Sequence, residues 1–200
     1  TTTIFRAAFS NGLWRSTNSG TTWSLVISGY GIDGEAITYD SRHPDTMYAG
    51  KYNGGTIYRS TNRGASWITM GAAGPDLCAL AVRPDSSAIL FAGTGGGTIS
   101  KSTDGGATWR LVKPQGSSEI PRIVIDPDHP LVAYGAGFDG PDSTIGVWKT
   151  TDGGATWYSV GDHLPSLALA ALAVDPLTPQ HVYAVLGGAG IYRSNDAANT

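Results

Sequence analysis

Lys101-Ser102-Thr103-Asp104-Gly105-Gly106-Ala107-Thr108-Trp109 is the stretch that decides the fold, because the chain repeats it. The same pattern stands at residues 15–23, 59–67 and 149–157, each copy ending in Trp. A further copy opens at Arg193-Ser194-Asn195-Asp196, carries Ala198 where the others carry Gly, and reaches Thr200 just before the position of its Trp. Successive tryptophans (Trp23, Trp67, Trp109, Trp157) stand 44, 42 and 48 residues apart. That period suits one four-stranded blade of a radial β-architecture.

Between the boxes lies a second repeat. Ala79-Leu80-Ala81-Val82-Arg83-Pro84-Asp85 matches Arg122-Ile123-Val124-Ile125-Asp126-Pro127-Asp128 and Ala171-Leu172-Ala173-Val174-Asp175-Pro176. A strand-like segment of the Val-Tyr-Ala-Gly type follows each. One unit therefore reads as strands A to D: A before the Pro-rich turn, B after it, C entering the box and D leaving it with Trp. β-branched and aromatic residues fill these segments, and Gly, Pro, Asn and Asp separate them. No segment keeps a helical apolar period, so the sequence predicts an all-β fold of four-stranded antiparallel blades. The blades are expected at residues 1–27, 36–70, 78–112, 121–160 and 168–200, in a single domain. The first lacks strand A and the fifth lacks strand D. This is the expectation for part of a larger or incomplete ring whose polypeptide continues past Thr200. A start at Thr1 without Met reads as a processed start or an excerpt.

Composition narrows the function. A net charge of -3, with 13 Lys and Arg scattered singly, lacks the basic stripe of a nucleic-acid module. The longest apolar run, residues 167–174, is too short to span a bilayer. Cys78, the one cysteine, sits in an apolar segment and reads as a small buried hydrophobe. His43, His129, His163 and His181 show no metal-ligand spacing. Gly93-Thr94-Gly95-Gly96-Gly97 joins two strands rather than opening a helix, so it reads as a hairpin loop and not a phosphate cradle.

The motif Ser/Thr-x-Asp/Asn-x-Gly-x-Thr/Ser-Trp resembles the Asp-box, or BNR, repeat of a β-propeller superfamily, over nearly the whole chain. The Ala-Val-Asp-Pro and Val-Tyr-Ala-Gly segments look most like family 74 glycoside hydrolases and generic bacterial Asp-box proteins. In the boxes, Asn18, Asn62, Asp104, Asp152 and Asp196 are expected to accept backbone hydrogen bonds within the turn. The glycines supply positive φ there, and Trp23, Trp67, Trp109 and Trp157 pack between blades. This role is structural. One carboxylate per loop is a poor calcium site, so no metal and no cofactor are expected.

The resemblance puts active sites on the face of the D–A and B–C connections, opposite the boxes. On that face fall Asp33, Glu35, Asp76, Glu119, Asp139, Asp142 and Asp162. With Tyr52 and Phe138, the residues Asp33, Glu35, Asp139, Asp142 and Asp162 are the candidate ligand contacts. Residues 135–144 read as the longest B–C loop and the best local candidate for recognition. A sialidase would need an Arg-Ile-Pro motif, and Glu119-Ile120-Pro121-Arg122 has those letters in the wrong order. A family 74 hydrolase would need two carboxylates facing each other across a cleft. Short connections after residues 71 and 113 argue against the tall cleft walls of such an enzyme. The sequence therefore reads as a non-catalytic module that binds a protein or glycan, or serves as a scaffold. It is expected to be secreted, cell-surface or periplasmic, without nucleic-acid partner or membrane insertion. A family 74 fragment and a photosystem II assembly-factor-like protein are the alternatives.

Overall fold

The computed structural model describes residues 2–8, 10–113, 119–139, 144–161, 163–165 and 169–199, with the side chains at 33, 35, 138, 139, 144 and 145 outside the description. Its strands form five antiparallel sheets. The first holds β1 (Ile4–Ala8), β2 (Gly12–Ser16) and β3 (Ser24–Ile27). The second holds β4 (Ile32–Tyr39), β5 (Met47–Lys51), β6 (Thr56–Ser60) and β7 (Ile68–Ala72). The third runs β8 (Leu77–Arg83), β9 (Ser86–Thr94), β10 (Ile99–Ser102) and β11 (Arg110–Lys113). The fourth runs β12 (Arg122–Ile125), β13 (Ala133–Asp139), β14 (Thr144–Thr150) and β15 (Tyr158–Ser159). The fifth holds β16 (Leu169–Val174), β17 (Val182–Leu186) and β18 (Gly190–Ser194). Among the described residues the only helical turn is a 3-10 turn at Asn53–Gly55.

These are propeller blades, each a meander in sequence order. The A strands β4, β8, β12 and β16 pack side by side in that order, and among the described residues the row does not close. As expected, the first blade starts at its B strand and the fifth stops after its C strand. Strand A of the second blade begins earlier than expected, at Ile32, where β4 pairs with Lys51 of β5. Residues 135–139 also depart from expectation: they are strand, not loop, with Gly137 paired to Gly146 and Asp139 to Thr144. A Cβ on Gly137 would lie 1.8 Å from the Glu119 carbonyl oxygen. The glycine lets the incoming D–A connection lie directly against this strand.

Every box makes the same turn. Ser16, Ser60, Ser102, Thr150 and Ser194 donate their hydroxyls to the Asx carboxyl or amide oxygen two residues on, at 2.7–2.9 Å. Each hydroxyl oxygen in turn accepts the backbone N–H four residues on, from Gly20, Gly64, Gly106, Gly154 and Ala198. The Asx oxygen also accepts the N–H of Thr22, Ser66, Thr108 or Thr156 at 2.9 Å. Asp and Asn differ only in the last bond. Asp104 and Asp152 accept the hydroxyls of Thr108 and Thr156, whereas Asn18 and Asn62 donate to Thr22 and Ser66. Position four of the box has positive φ in every copy, and in the fifth both Ala197 (φ 61) and Ala198 (φ 57) adopt it. At Gly154 there is a second reason for glycine, since a Cβ would sit 2.4 Å from the Phe91 ring of the preceding blade.

The turn fastens two blades together. Its fourth residue donates its N–H to the A–B turn of its own blade, Arg63 to Asp45, Gly153 to Leu131 and Ala197 to Gln180, or to the start of strand B, Gly105 to Ala88. At three of the four joints the carbonyl of the same residue accepts a cation from strand C of the blade before, whereas Arg59 of the second blade lies over the Tyr48 ring and its Nε has no hydrogen-bond partner among the described residues. Arg15 Nε reaches Arg63 O at 3.0 Å, Lys101 Nζ reaches Gly153 O at 2.6 Å, and Lys149 Nζ reaches Ala197 O at 2.8 Å. Each cation pairs across the sheet with an aromatic residue of strand B: Phe5 with Arg15, Tyr48 with Arg59, Phe91 with Lys101, Tyr134 with Lys149 and Tyr183 with Arg193. Burial lowers the affinity of Lys101 and Lys149 for their protons, and nearby Asp152 and Asp196 oppose that shift. The indoles complete the joint. Trp67 meets Phe5 and Trp157 meets Phe91 edge to face. Trp23, Trp67 and Trp109 also donate Nε1–H to the glycine carbonyl of their own box at 3.0–3.2 Å. The four box tryptophans are half-buried rather than enclosed, one edge of each lying at the surface of the blade joint.

Trp109→Ala is expected to lower the unfolding free energy by about 3 kcal/mol, the low end for a large aromatic because one edge is already wet. Chemical denaturation checks this, and an unchanged midpoint would contradict the packing role. Lys101→Met should cost about 1–3 kcal/mol by leaving the Gly153 carbonyl without its donor. Acid should also weaken the boxes. The Thr108 hydroxyl, then the Thr108 N–H, hold Asp104 down to about 2 from 3.8, and the Thr156 pair lowers Asp152 likewise. A carboxyl depressed in the folded state stabilises it fully above the unfolded value. That contribution is lost as pH falls from 3.8 toward about 2. Thermal melts over this window should show a shallower acid decline in Asp104→Asn, because Asn62 already serves the same turn.

Candidate functional site

The face away from the boxes is built by the D–A and B–C connections, and their backbones are laced together. Gly31 O accepts the Tyr52 N–H at 2.6 Å, and Tyr52 O accepts the Leu77 N–H at 3.1 Å. Asp76 O accepts the Gly95 N–H at 2.7 Å, and Thr94 O accepts the Ile120 N–H at 2.9 Å. The loops of the first three blade joints are thereby held as one strip.

On that strip, Tyr52 and Asp76 converge over Gly95. A Cβ at Gly95 would lie 2.9 Å from the Asp76 Cβ and 3.7 Å from the Tyr52 hydroxyl. Asp76 is a non-glycine residue with φ 53, a conformation that Asp tolerates better than most residues. The Asp76 carbonyl also accepts the Cys78 thiol at 3.0 Å, which accounts for the buried Cys78 as a packed, hydrogen-bonded side chain. Next to Tyr52, Tyr30 on the preceding D–A connection is 51% exposed. A Cβ at the neighbouring Gly31 would touch the Tyr52 Cβ at 3.4 Å. Two tyrosines, a carboxylate and a glycine floor thus share one edge of the propeller. Flat amphipathic rings with a nearby acceptor can stack on and hydrogen-bond a polyhydroxylated ligand.

Of the residues expected to bind, Tyr52 is in this cluster. Asp33 and Glu35 lie on β4 and Phe138 and Asp139 on β13, with side chains outside the described residues, as are Asp142 and Asp162 altogether. Sequence reasoning passed over Tyr30 and put Asp76 on this face without naming it among the candidate contacts. The signal available for both was the D–A position itself, Gly-Tyr-Gly at 29–31 and Gly-Pro-Asp at 74–76.

The other face carries ionisable groups in structural work. Asp40 Oδ1 accepts the N–H groups of Arg42 and His43, and Asp126 Oδ1 those of Asp128 and His129. Their second oxygens lie 3.0 and 3.1 Å from His43 and His129 Nδ1. Asp175 caps Leu177 and Thr178 in the same way, with His181 Nδ1 3.6 Å away. Burial alone would raise Asp40, but the His43 and backbone hydrogen bonds outweigh it, and its affinity for a proton falls. Backbone donors lower Asp175, and Arg83 lowers Asp85. Among the described residues, every carboxyl with a resolved shift moves downward, away from the raised value a general acid needs. No group of His, Cys, Asp and Glu among them is arranged to hold a metal ion. No helix there is long and apolar enough to cross a membrane.

No protein-family model and no curated protein matches the sequence. Solved structures do match in fold. The GH74 xyloglucanase from Xanthomonas campestris superimposes with a TM-score of 0.75 at 20% identity, over 98% of this chain and 35% of the enzyme. An ancestral GH74 enzyme gives 0.71 at 19% identity, over 92% of this chain and 26% of its own length. The GH74 enzyme of Niastella koreensis gives 0.63 at 18% identity, over 99% and 43%. The chain therefore spans less than half the length of each of these enzymes. In fold, it is an all-β run of propeller blades of the kind that GH74 enzymes contain.

Proposed function

We propose that this chain is the carbohydrate-binding part of a propeller of the family 74 type, a surface that holds a polysaccharide rather than one that cleaves it. The observation that carries the reading is the convergence of Tyr52 and Asp76 over Gly95, with the exposed Tyr30 on the neighbouring D–A connection, on the face opposite the boxes. The rings offer stacking area, and the Asp76 carboxylate offers acceptors for sugar hydroxyls. The fold likeness to a xyloglucanase makes a β-glucan chain the first ligand to try. A polysaccharide target places the protein outside the cytoplasm.

A second reading, a hydrolytic fragment, rests on the sequence candidates Asp139 and Asp142, whose carboxyls lie outside the described residues. One carboxyl there would have to act as acid and the other as base, and cleavage would then depend on both.

Titration calorimetry with xyloglucan oligosaccharides is expected to show binding without release of reducing ends. Tyr52→Ala should weaken that binding roughly tenfold, about 1.4 kcal/mol, with the fold intact by circular dichroism. Asp76→Asn should weaken it less, since the amide keeps one acceptor. Unchanged affinity in both variants would remove the site. Hydrolysis by the wild type that vanishes in Asp139→Asn or Asp142→Asn would replace this reading with the second.

A further inference from the structure

The third blade breaks the charge pattern of the repeat at two positions. At the end of strand A the second, fourth and fifth blades carry Asp40, Asp126 and Asp175, and the third carries Arg83. After the box tryptophan the first, second and fourth blades carry Ser24, Ile68 and Tyr158, and the third carries Arg110. An acid is replaced by a base, and a second base is added, in a chain of net charge -3. The third sheet has all four strands and packs between two other four-stranded sheets, so both features belong to the interior of the blade run.

Register brings the bases together. Arg110 stands directly opposite Lys101, and Lys101 opposite Phe91. The Arg83 Nη1 and Lys101 Nζ atoms lie 3.7 and 3.9 Å from where a Cβ on Gly153 would stand. Like charges directly opposed across strands destabilise a sheet. Burial, then Arg83, then Arg110 lower the affinity of Lys101 for its proton, and Asp152 opposes them. Two of the three bases are satisfied within the protein. Arg83 holds both oxygens of Asp85, and Lys101 donates to the Gly153 carbonyl at 2.6 Å. The third, Arg110, is exposed and makes no hydrogen bond or ion pair with a described residue. It lines an open pocket of about 240 Å³ with Lys101, Thr103, Thr108 and Trp109. The Thr103 hydroxyl is likewise without a partner among the described residues. The Trp109 indole is half-buried, and the Thr108 hydroxyl is taken by the Asp104 carboxylate.

We infer that this pocket, at the box end of the third blade, binds an acidic sugar residue through a single negative charge on its ring. The Arg110 guanidinium holds the oxyanion, the Thr103 hydroxyl adds a donor, and the wet edge of Trp109 meets the ring. Charge sets the class of ligand. Asp85 balances Arg83 and Asp152 offsets Lys101, so Arg110 is the base left to pair with a monoanion. A uronate carboxylate and a sulfate ester both carry one charge, and the planar fork of a guanidinium matches either with two parallel N–H bonds. A phosphate dianion would bring its second charge against Asp104, whose oxygens are filled by the Ser102 and Thr108 donors. The indole and the hydroxyl favour a sugar over a bare ion. For scale, an apolar cavity of roughly 150 Å³ admits benzene, and this one has room for a pyranose ring. The site lies on the box face, away from Tyr52 and Asp76, and holds whether or not that pair binds a β-glucan.

The test is an NMR titration of the whole chain with trigalacturonate, with a sulfated trisaccharide, and with a neutral xyloglucan oligosaccharide as reference. An acidic trisaccharide is expected to shift the Trp109 indole N–H and the Arg110 Nε–H, and the neutral one to leave both in place. Of the two acidic ligands, the one that binds more tightly identifies the oxyanion. Raising the ionic strength from about 0.05 to about 0.5 M should weaken the binding severalfold. Arg110→Ser writes in the residue that the first blade carries at this position, so the blade should fold as before. It should weaken the acidic ligand roughly tenfold or more, the usual consequence of deleting a charged hydrogen-bond partner. Arg110→Lys, which keeps the charge and loses the fork, should fall between the two. Equal affinity in the wild type and Arg110→Ser would overturn the inference. So would acetate binding as tightly as trigalacturonate, or a neutral oligosaccharide shifting the same two resonances. Tyr52→Ala separates the two sites: it should leave the acidic ligand's affinity unchanged, and a loss there would put that ligand on the other face and overturn the inference.

Discussion

One residue of the box, through its N–H and its carbonyl, ties blade to blade. In the second, fourth and fifth boxes the residue in position four gives its N–H to the A–B turn of its own blade, and its carbonyl takes a Lys or Arg from the blade before. For both groups to point outward to different blades, the chain must turn through the left-handed region at that residue and the next. The costs of this turn are the two positive φ values and a carbonyl buried in the joint. The first is met by glycine in the third and fourth boxes and tolerated as Ser19, Arg63 and Ala197 elsewhere. The second is met by the cation. The Ser or Thr and Asx side chains of the box then satisfy the turn's inward N–H groups, so the loop needs no help from solvent to hold its shape.

The aromatic–cation pair across strands B and C belongs to the same device. A buried lysine with only a carbonyl partner would be expensive, and Lys149 is almost fully enclosed. The ring beneath it, Tyr134 at 5.8 Å, and the Asn199 amide oxygen at 2.8 Å share the charge, while the Tyr134 hydroxyl donates to the same Ala197 carbonyl. Burial drives the Tyr134 phenol well above its ordinary range, so it stays a donor at every pH the protein meets. Packing, charge and turn geometry therefore agree at the joint of the fourth and fifth blades. Such agreement lets short strands, some of only two to four residues, persist as blades.

The opposite face gains its freedom from this division of labour. Because the boxes and the Asp–His turns carry the blade joints, the D–A and B–C connections need only main-chain lacing to stay in place. Their side chains are not needed for the joints, and Tyr30, Tyr52 and Asp76 lie on this face, Tyr30 exposed and the other two half-buried. A rim held by backbone hydrogen bonds would keep the ordering entropy of the proposed binding low.

Much of this was legible in the order of residues. The repeat predicted blade number, strand order and the composition of each box, because a period of residues and a turn chemistry are local properties. The Asx hydrogen bonds and the positive φ of Gly20, Gly64, Gly106 and Gly154 followed from residue type alone. What the sequence could not show is anything that one blade does to the next. The pairing of Lys101 with the Gly153 carbonyl joins residues 52 apart, and the sequence near either says nothing of the other. Residues 135–139 read as loop because glycines usually break strands, yet they are strand because the Glu119 backbone lies where a side chain would be. The box tryptophans read as core residues, and their half-burial reflects the width of a joint that only neighbouring blades can set. For the same reason the convergence of Tyr52 and Asp76 over Gly95 had no trace in sequence. These three residues come from two blades and the connection between them, and only the stacking of blade on blade brings them within contact.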